Sequence, residues 1–432
     1  MKIIVSHIGK QHVNALLIAL DKRGVLTQFY TSIAANKVWL PKSLAFKKGN
    51  DLLAKIRKQR YTDLDDHKIT HFPAIAAVKK VVKSEYWSLK TCHKWFDKKM
   101  ARILKHADFD MVIGYETSNL ESFKAAKERE KITILDMTAV HHNFQNPILT
   151  QAGVYTNPKE LAFVSDLKYQ ALDYTDYIIA LSTFAEKTLV ENGFPAHRIY
   201  KTYLGINQKV FFPKEKYNVV SHQDLKMSSQ NVKYTDLSSG THEGVLELYF
   251  VGTLMLRKGM PFLMQVLDTL INKGLKVRLT LIGPVDDFPV PNLDVPYFRY
   301  IPFLNHAELV EIHHRLDLFV FPSNIDSWAQ VVIEAMACGS PILVSENTGA
   351  KDAVAQGGGM VLPVGDLDAW VNAVEKFYYN RHLLKEIGQQ AAVVAQQYTW
   401  AAYHQQVFDV VTDIFNRENN IKTHYVESEE HV

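Results

Sequence analysis

The chain has only two cysteines, Cys92 and Cys338, in 432 residues. That excludes a disulfide-stapled fold and a cysteine-based metal site. No apolar run approaches the ~18–20 residues that a membrane helix needs. The N-terminal MKIIVSHIG enters a strand-like segment directly, without the charged and apolar regions of a signal peptide. A reducing cytoplasm is the expected setting. The G-x-x-x-x-G-K-[ST] phosphate loop is absent, and no G-x-G-x-x-G follows the first strand. These absences argue against a P-loop nucleotidase and a dinucleotide-binding enzyme. No G-x-S-x-G elbow supports serine-hydrolase chemistry. His, Cys, Asp and Glu do not take up metal-ligand spacing, so no metal is expected. No repeat of 20–50 residues is apparent.

What is present is a globular composition, 47% hydrophobic with a mean hydropathy of −0.12. The length exceeds one ordinary core, so two domains are expected. Net charge is only +3, but residues 37–105 hold 18 Lys and Arg against 6 Asp and Glu, a local +12. Trp39, Phe46, Tyr61, Phe72, Tyr86, Trp87, Trp95 and Phe96 interleave with that stretch. This pattern suits an anionic membrane face better than nucleic acid, and a solvated helical face is the plain alternative.

Strand-like and helix-like segments alternate. KIIVS (2–6), DMVIGY (110–115), ITILD (132–136) and YIIAL (177–181) read as buried strands. Residues 11–24 have helical apolar spacing and end at Gly24, and Ser182 and Thr183 cap a helix that runs to Asn192-Gly193. Residues 37–108 interrupt the rhythm and look mostly helical. Residues 206–244 are polar and read as the connection between domains. Alternation resumes with ELYFVG (247–252), VRLTLIG (277–283), LFVFP (318–322) and PILVS (341–345). The fold class is therefore α/β with two Rossmann-like, doubly wound parallel-sheet domains facing a cleft. The first spans 1–206, carries the basic insertion at about 37–108 and is completed by a C-terminal helix at about 400–418. The second spans 207–399. The tail after Asn416 is expected to fray.

Three groups of residues carry candidate chemistry. In YFVGTLMLRKG (249–259), Gly252 allows a tight turn after the strand, and Arg257 and Lys258 precede a helix. Two cations at a helix start can hold a diphosphate. In SNIDSWAQVVIEAMACGS (323–340), Asp326 and Glu334 lie eight positions apart. Glu334 sits among Val332, Ile333, Ala335 and Met336, where a carboxylate needs a polar partner. Ribose hydroxyls would supply one. In the first domain, Gly9, Lys10 and His12 follow the first strand, and His141 and His142 follow ITILD. All five lie at the sheet edge that opens onto the cleft.

Together these segments resemble the retaining glycosyltransferases of family 4, glycosyl transferases group 1, which have the GT-B fold. FVGTLMLRKG resembles the family's phosphate-binding turn. Lys258 matches its lysine, while Thr253 stands where an arginine is common, so that Arg257 would supply the second cation. PSNIDSWAQVVIEAMACGSPIL resembles the family's Glu-x7-Glu signature. Glu334 matches the ribose-binding glutamate, Asp326 replaces the first glutamate, and Ser327 and Ala329 stand at family glycines. SHIGKQH resembles the acceptor-side loop, and His141 falls where a sugar-contacting histidine is found. The resemblance implies donor binding by Gly252, Thr253, Arg257, Lys258 and Glu334, with His141, Arg257, Lys258 and Asp326 at the reacting centre. It also implies retention by front-face attack, the leaving phosphate accepting the acceptor's proton. No metal or cofactor is implied, the nucleotide-sugar being a substrate. A glycan or lipid-linked acceptor and an inner membrane face touched by residues 37–105 complete the expectation. A GT-B epimerase and a non-catalytic sugar-nucleotide-binding subunit are the alternatives.

Overall fold

The computed structural model describes residues 1–9, 12–34, 36, 61, 64–82, 85–151, 153, 158–214, 244–291 and 296–429. Residues 215–243 of the expected interdomain connection at 206–244, much of the basic insertion and Lys10 lie outside the described residues.

Two all-parallel sheets form the frame. The first has the order β3-β2-β1-β4-β5-β6-β7, built from Ile3–Ser6 (β1), Leu26–Thr31 (β2), Ile69–His71 (β3), Met111–Tyr115 (β4), Ile132–Met137 (β5), Tyr177–Ala180 (β6) and Ile199–Lys201 (β7). The second has the order β10-β9-β8-β11-β12-β13. Its strands are Leu246–Val251 (β8), Val277–Ile282 (β9), Phe298–Ile301 (β10), Leu318–Phe321 (β11), Ile342–Ser345 (β12) and Gly359–Leu362 (β13). Strands β1, β5, β6, β9, β11 and β12 are buried along their whole length, as parallel strands covered by helices on both faces must be. Their apolar runs made them legible.

Each sheet reverses its strand order once, between β1 and β4 and between β8 and β11. Doubly wound sheets open a crevice at the carboxyl ends of such strand pairs. The loops after β1, β5, β8 and β11 therefore hold the candidate residues.

The segment 37–108 contributes helices Pro73–Val81 and Lys94–Leu104, as expected, and also the edge strand β3. A three-residue strand in a basic stretch carries too little apolar pattern to be read from sequence. The last helix runs from Trp400 to Glu429, beyond the expected end near 418, because its sequence contains no Gly or Pro to stop it. It packs on the first domain: Tyr177 Oη donates to Glu418 at 2.7 Å, and Tyr200 donates to Asp413.

Candidate active site

The turn after β8 begins at Gly252 and ends at Gly259, whose φ is +74°. A Cβ on Gly259 would lie 2.0 Å from the Pro322 carbonyl oxygen. Glycine there lets the turn press against the end of β11. Arg257 and Lys258 thereby meet the loop 322–329.

The Lys258 ammonium pairs with the Asp326 carboxylate and lies 4.9 Å from the Phe321 ring centroid. Burial pulls the Lys258 pKa down, against the pull of Asp326. Burial pushes Asp326 the other way, yet Lys258 and Arg257 hold its carboxyl below the usual range. The Trp328 backbone N–H also donates to Asp326, at 3.1 Å. Asp326 is thus an ionised acid held by two cations. Arg257 additionally donates to the Ile325 carbonyl at 3.3 Å.

Glu334 lies on the helix Gln330–Ala337, one turn beyond Gln330 and Val331. Residues at i+3 and i+4 share a helix face. Its half-buried carboxylate makes no hydrogen bond or ion pair among the described residues. Burial raises its pKa to about 7. Such a group is poised to accept hydroxyl hydrogen bonds.

A cleft of about 610 Å³ joins the two domains. From the second domain Gly252, Thr253, Arg257, Lys258, Asp326 and Gln330 line it; from the first, His12, Thr138 and Leu181 do so. A side chamber of about 250 Å³ shares Thr138, Arg257, Asp326 and Ser327 with it and continues to Gln145 and Leu149. Hydrogen bonds cross between the domains here. The Ser327 hydroxyl donates to the Thr138 carbonyl, and Gln330 Nε2 donates to the Gly205 carbonyl at 3.2 Å. Ser182 Oγ donates to the Ser327 carbonyl at 2.8 Å while accepting from Ala185 N–H as a helix cap. The Thr183 backbone N–H donates to Asp352 Oδ2 at 2.7 Å.

The structure brings together Gly252, Thr253, Arg257, Lys258, Asp326 and His12, with Glu334 one helical turn away. It places the other histidines elsewhere. His141 is buried, accepts the Asn143 N–H through Nδ1 at 3.2 Å, and stacks on His142 at 4.2 Å between ring centroids. Desolvation, reinforced by Lys168, lowers the His141 pKa to about 4. His142, also near 4, lines a small cavity beside the Glu116–Lys168 ion pair. Neither ring lines the cleft or its side chamber; Thr138 occupies that edge instead. The register after β5 is set by the helix that begins at His142, which turns both rings inward. Gly9 accepts a hydrogen bond from Tyr61 Oη at 3.3 Å and braces the loop from outside the cleft lining.

Sequence reasoning missed Asp136. This acid is the penultimate residue of β5, is buried, and holds His12 Nε2 at 2.7 Å through Oδ2. Its signal was an acid at the end of an otherwise apolar buried strand. Among the described residues, no group of three or more His, Cys, Asp or Glu is arranged to hold a metal ion.

Residues 237–394 match the family model of glycosyl transferases group 1. A D-inositol 3-phosphate glycosyltransferase of Gordonia bronchialis is 30% identical over 185 residues, 38% of this chain and 39% of that protein. The capsular polysaccharide biosynthesis glycosyltransferase CapM of Staphylococcus aureus is 28% identical over 145 residues, 32% of this chain and 38% of its own. The matched stretches thus span about two fifths of the length of these relatives. Sucrose-phosphate synthase from Thermosynechococcus elongatus superposes with a TM-score of 0.64 at 15% identity, covering 96% of this chain and all of its own. Anabaena HepE, in a structure with UDP-glucose, gives a TM-score of 0.59 at 14% identity, covering 96% of this chain and 100% of its own. Two parallel-sheet domains facing a cleft, with these superpositions, give the chain a GT-B fold, and over residues 237–394, less than half of its length, it is similar to the glycosyl transferases group 1.

Proposed function

We propose that the protein is a retaining, metal-independent glycosyltransferase that takes a nucleotide-sugar donor and passes its sugar to a glycan or lipid-linked acceptor in bacterial surface polysaccharide or glycolipid synthesis. The observation that carries this reading is Glu334: a half-buried carboxylate without a hydrogen-bond or ion-pair partner among the described residues, one turn along the helix from the cleft lining. Two ribose hydroxyls would satisfy it. The diphosphate then extends toward Arg257 and Lys258, and Lys258 exchanges part of its bond to Asp326 for phosphate oxygen. As the glycosidic bond breaks, negative charge grows on the diphosphate. Preorganised cations in a dry site stabilise that charge by several kcal/mol, about 3–4 for one well-placed donor. The interdomain hydrogen bonds at Ser327, Ser182 and Thr183 keep water from the sugar.

The structural neighbour HepE, whose structures hold UDP and UDP-glucose, supports a UDP-sugar as the first donor to test. The helices Pro73–Val81 and Lys94–Leu104 expose Val78, Val81 and Trp95 beside Lys79, Lys98 and Lys99, with exposed Trp87 between them. That face suits the anionic inner leaflet of a membrane. A panel of nucleotide-sugars read by thermal shift tests the donor, because a ligand that binds only the folded state raises its melting temperature. No shift with any of them refutes the reading. Release of an isomerised nucleotide-sugar without an acceptor would identify an epimerase instead.

A further inference from the structure

The cleft and its side chamber meet at Thr138, Arg257, Asp326 and Ser327, which line both. Gly252, Lys258 and Gln330 line the cleft alone. With ribose at Glu334 and the diphosphate at Arg257 and Lys258, the sugar on the distal phosphate comes to the mouth of the chamber. The helix His142–Gln151 forms its far wall. Gln145 and Leu149 line the chamber from that helix, four positions apart and so on one face. The Gln145 side chain is half-buried and makes no hydrogen bond among the described residues. His141 and His142 turn to the core, which leaves Gln145 as the polar side chain that this helix gives to the chamber. Val140 and Ile325 extend the apolar wall around Leu149, and among the described residues Arg257 and Asp326 are the only charged groups that line it. A hexose has hydroxyls on its rim and C–H groups on its faces. A glutamine amide both donates to and accepts from a hydroxyl. A charged substituent against Gln145 and Leu149 would lose its water without gaining a counter-ion.

We propose that Gln145 and Leu149 set the donor-sugar specificity: the chamber takes one uncharged hexosyl group, whose hydroxyl hydrogen-bonds Gln145 and whose C–H face packs on Leu149. Neither side chain exchanges a proton or a bond; both act on which sugar is held. This rests on the glycosyltransferase reading and adds to it the class of sugar and the residues that select it. A site built to hydrogen-bond a hydroxyl rejects a sugar that lacks it or carries it elsewhere, because the site's own polar group is then left unpaired. Two substitutions separate this role from simple packing of the helix. Met keeps the length of Gln145 and removes its hydrogen bonds. Lys keeps the length and supplies the positive charge that the wall lacks.

The experiment measures Kd by calorimetry on the full-length protein. The ligands are UDP, UDP-glucose, its epimer UDP-galactose, UDP-N-acetylglucosamine and UDP-glucuronic acid, or the same series on another nucleotide if the thermal-shift panel selects one. Wild type is expected to bind one neutral sugar more tightly than the free nucleotide, and the acid most weakly of the sugars. Gln145→Met is expected to weaken the preferred sugar by roughly tenfold, the scale of one hydrogen bond, and to lose most of its margin over the other neutral sugars. Its Kd for the free nucleotide should stay within twofold of wild type. Gln145→Lys is expected to narrow the margin against UDP-glucuronic acid. A Met variant with the sugar preferences of wild type overturns the proposal. So does nucleotide binding that weakens in step with sugar binding, a Lys variant that rejects the acid as wild type does, or a wild type that does not distinguish the sugars. A protein that binds no nucleotide-sugar refutes the glycosyltransferase reading itself, which keeps the two failures apart.

Discussion

Glu334 weakens the fold it sits in, and the size of that effect can be measured. Its folded pKa is raised from 4.5 to about 7 by burial. The native state therefore holds the proton more tightly than the unfolded chain does. Below pH 4.5 both states are protonated and the residue costs nothing. As pH rises through 4.5 toward 7, the unfolded state ionises while the folded state resists, and the penalty grows. Above about pH 7 it is complete. At about 1.4 kcal/mol per pH unit the shift corresponds to at most about 3 kcal/mol. The side chain is only half-buried, so solvent screening reduces this to about 1–2 kcal/mol. Glu334→Gln removes the charge and keeps the shape. Urea unfolding should show the variant more stable than wild type by about 1–2 kcal/mol at pH 8 and equal to it near pH 4.5. The same variant should bind the nucleotide-sugar at least tenfold more weakly, because a hydrogen bond to a charged group contributes about 1.5–3 kcal/mol. A stability difference independent of pH, or a loss at pH 8, would refute the reasoning. Stability gained where binding is lost is the signature of a group retained for function.

Lys258→Ala should lower turnover by roughly 10²–10³ through loss of charge stabilisation. It should also lower the melting temperature, because buried Asp326 loses its ion-pair partner and keeps only the Arg257 charge and the Trp328 N–H, a cost of up to about 3 kcal/mol; adding Asp326→Ala should recover the stability and not the turnover. Ala329 holds a φ of 64°, a conformation that costs a non-glycine residue roughly 1–2 kcal/mol. Ala329→Gly should raise stability in urea by about 1 kcal/mol with donor Kd unchanged, and an unchanged or lower stability would remove the strain argument. Neutralising Lys79, Lys98 and Lys99 should weaken binding to phosphatidylglycerol vesicles by about 1 kcal/mol per charge. Intact protein that does not sediment with such vesicles would leave that face a solvated one.

The strands were legible because parallel strands buried on both faces are written as unbroken apolar runs, and IIVS and LFVF could hardly be anything else. The phosphate turn and Glu334 were legible for a related reason. Gly252, Arg257, Lys258 and Glu334 each break the local pattern in a direction that needs explaining, a cation beside glycine or a carboxylate among Val, Ile and Met. The placing of His141 was not legible, because a histidine after a strand looks alike whether its ring faces the cleft or the core. That choice is made by the start of the helix at His142, a packing event with no local mark. The His12–Asp136 pair spans 124 residues, and no periodicity connects its ends. β3 was invisible because its partner β2, and not its own sequence, makes it a strand.

Thr253 aside, the departures of this chain from the family pattern lie together. Asp326, Ser327 and Ala329 all fall in the loop between β11 and the helix that bears Glu334, and each makes a specific contact. Asp326, shorter than glutamate, stays on Lys258. Ser327 gives a hydroxyl to the Thr138 carbonyl of the opposite domain, a bond that glycine could not make. Ala329 tolerates a left-handed backbone that glycine would adopt freely, and its peptide neighbour Trp328 accepts the Ala350 N–H at 2.7 Å. Opposite this loop, a Cβ on Gly349 would meet the Ser327 carbonyl at 1.9 Å, so no side chain larger than hydrogen fits there. A loop fastened on three sides cannot be altered one residue at a time. Restoring glycine at Ser327 should therefore loosen the contact between domains as well as the loop. Its effect should appear as more hydrolysis of the donor by water relative to transfer, since closure is what excludes water. If Ser327→Gly left that ratio unchanged, the bond to Thr138 would be an incidental contact, and the three departures would have to be explained separately.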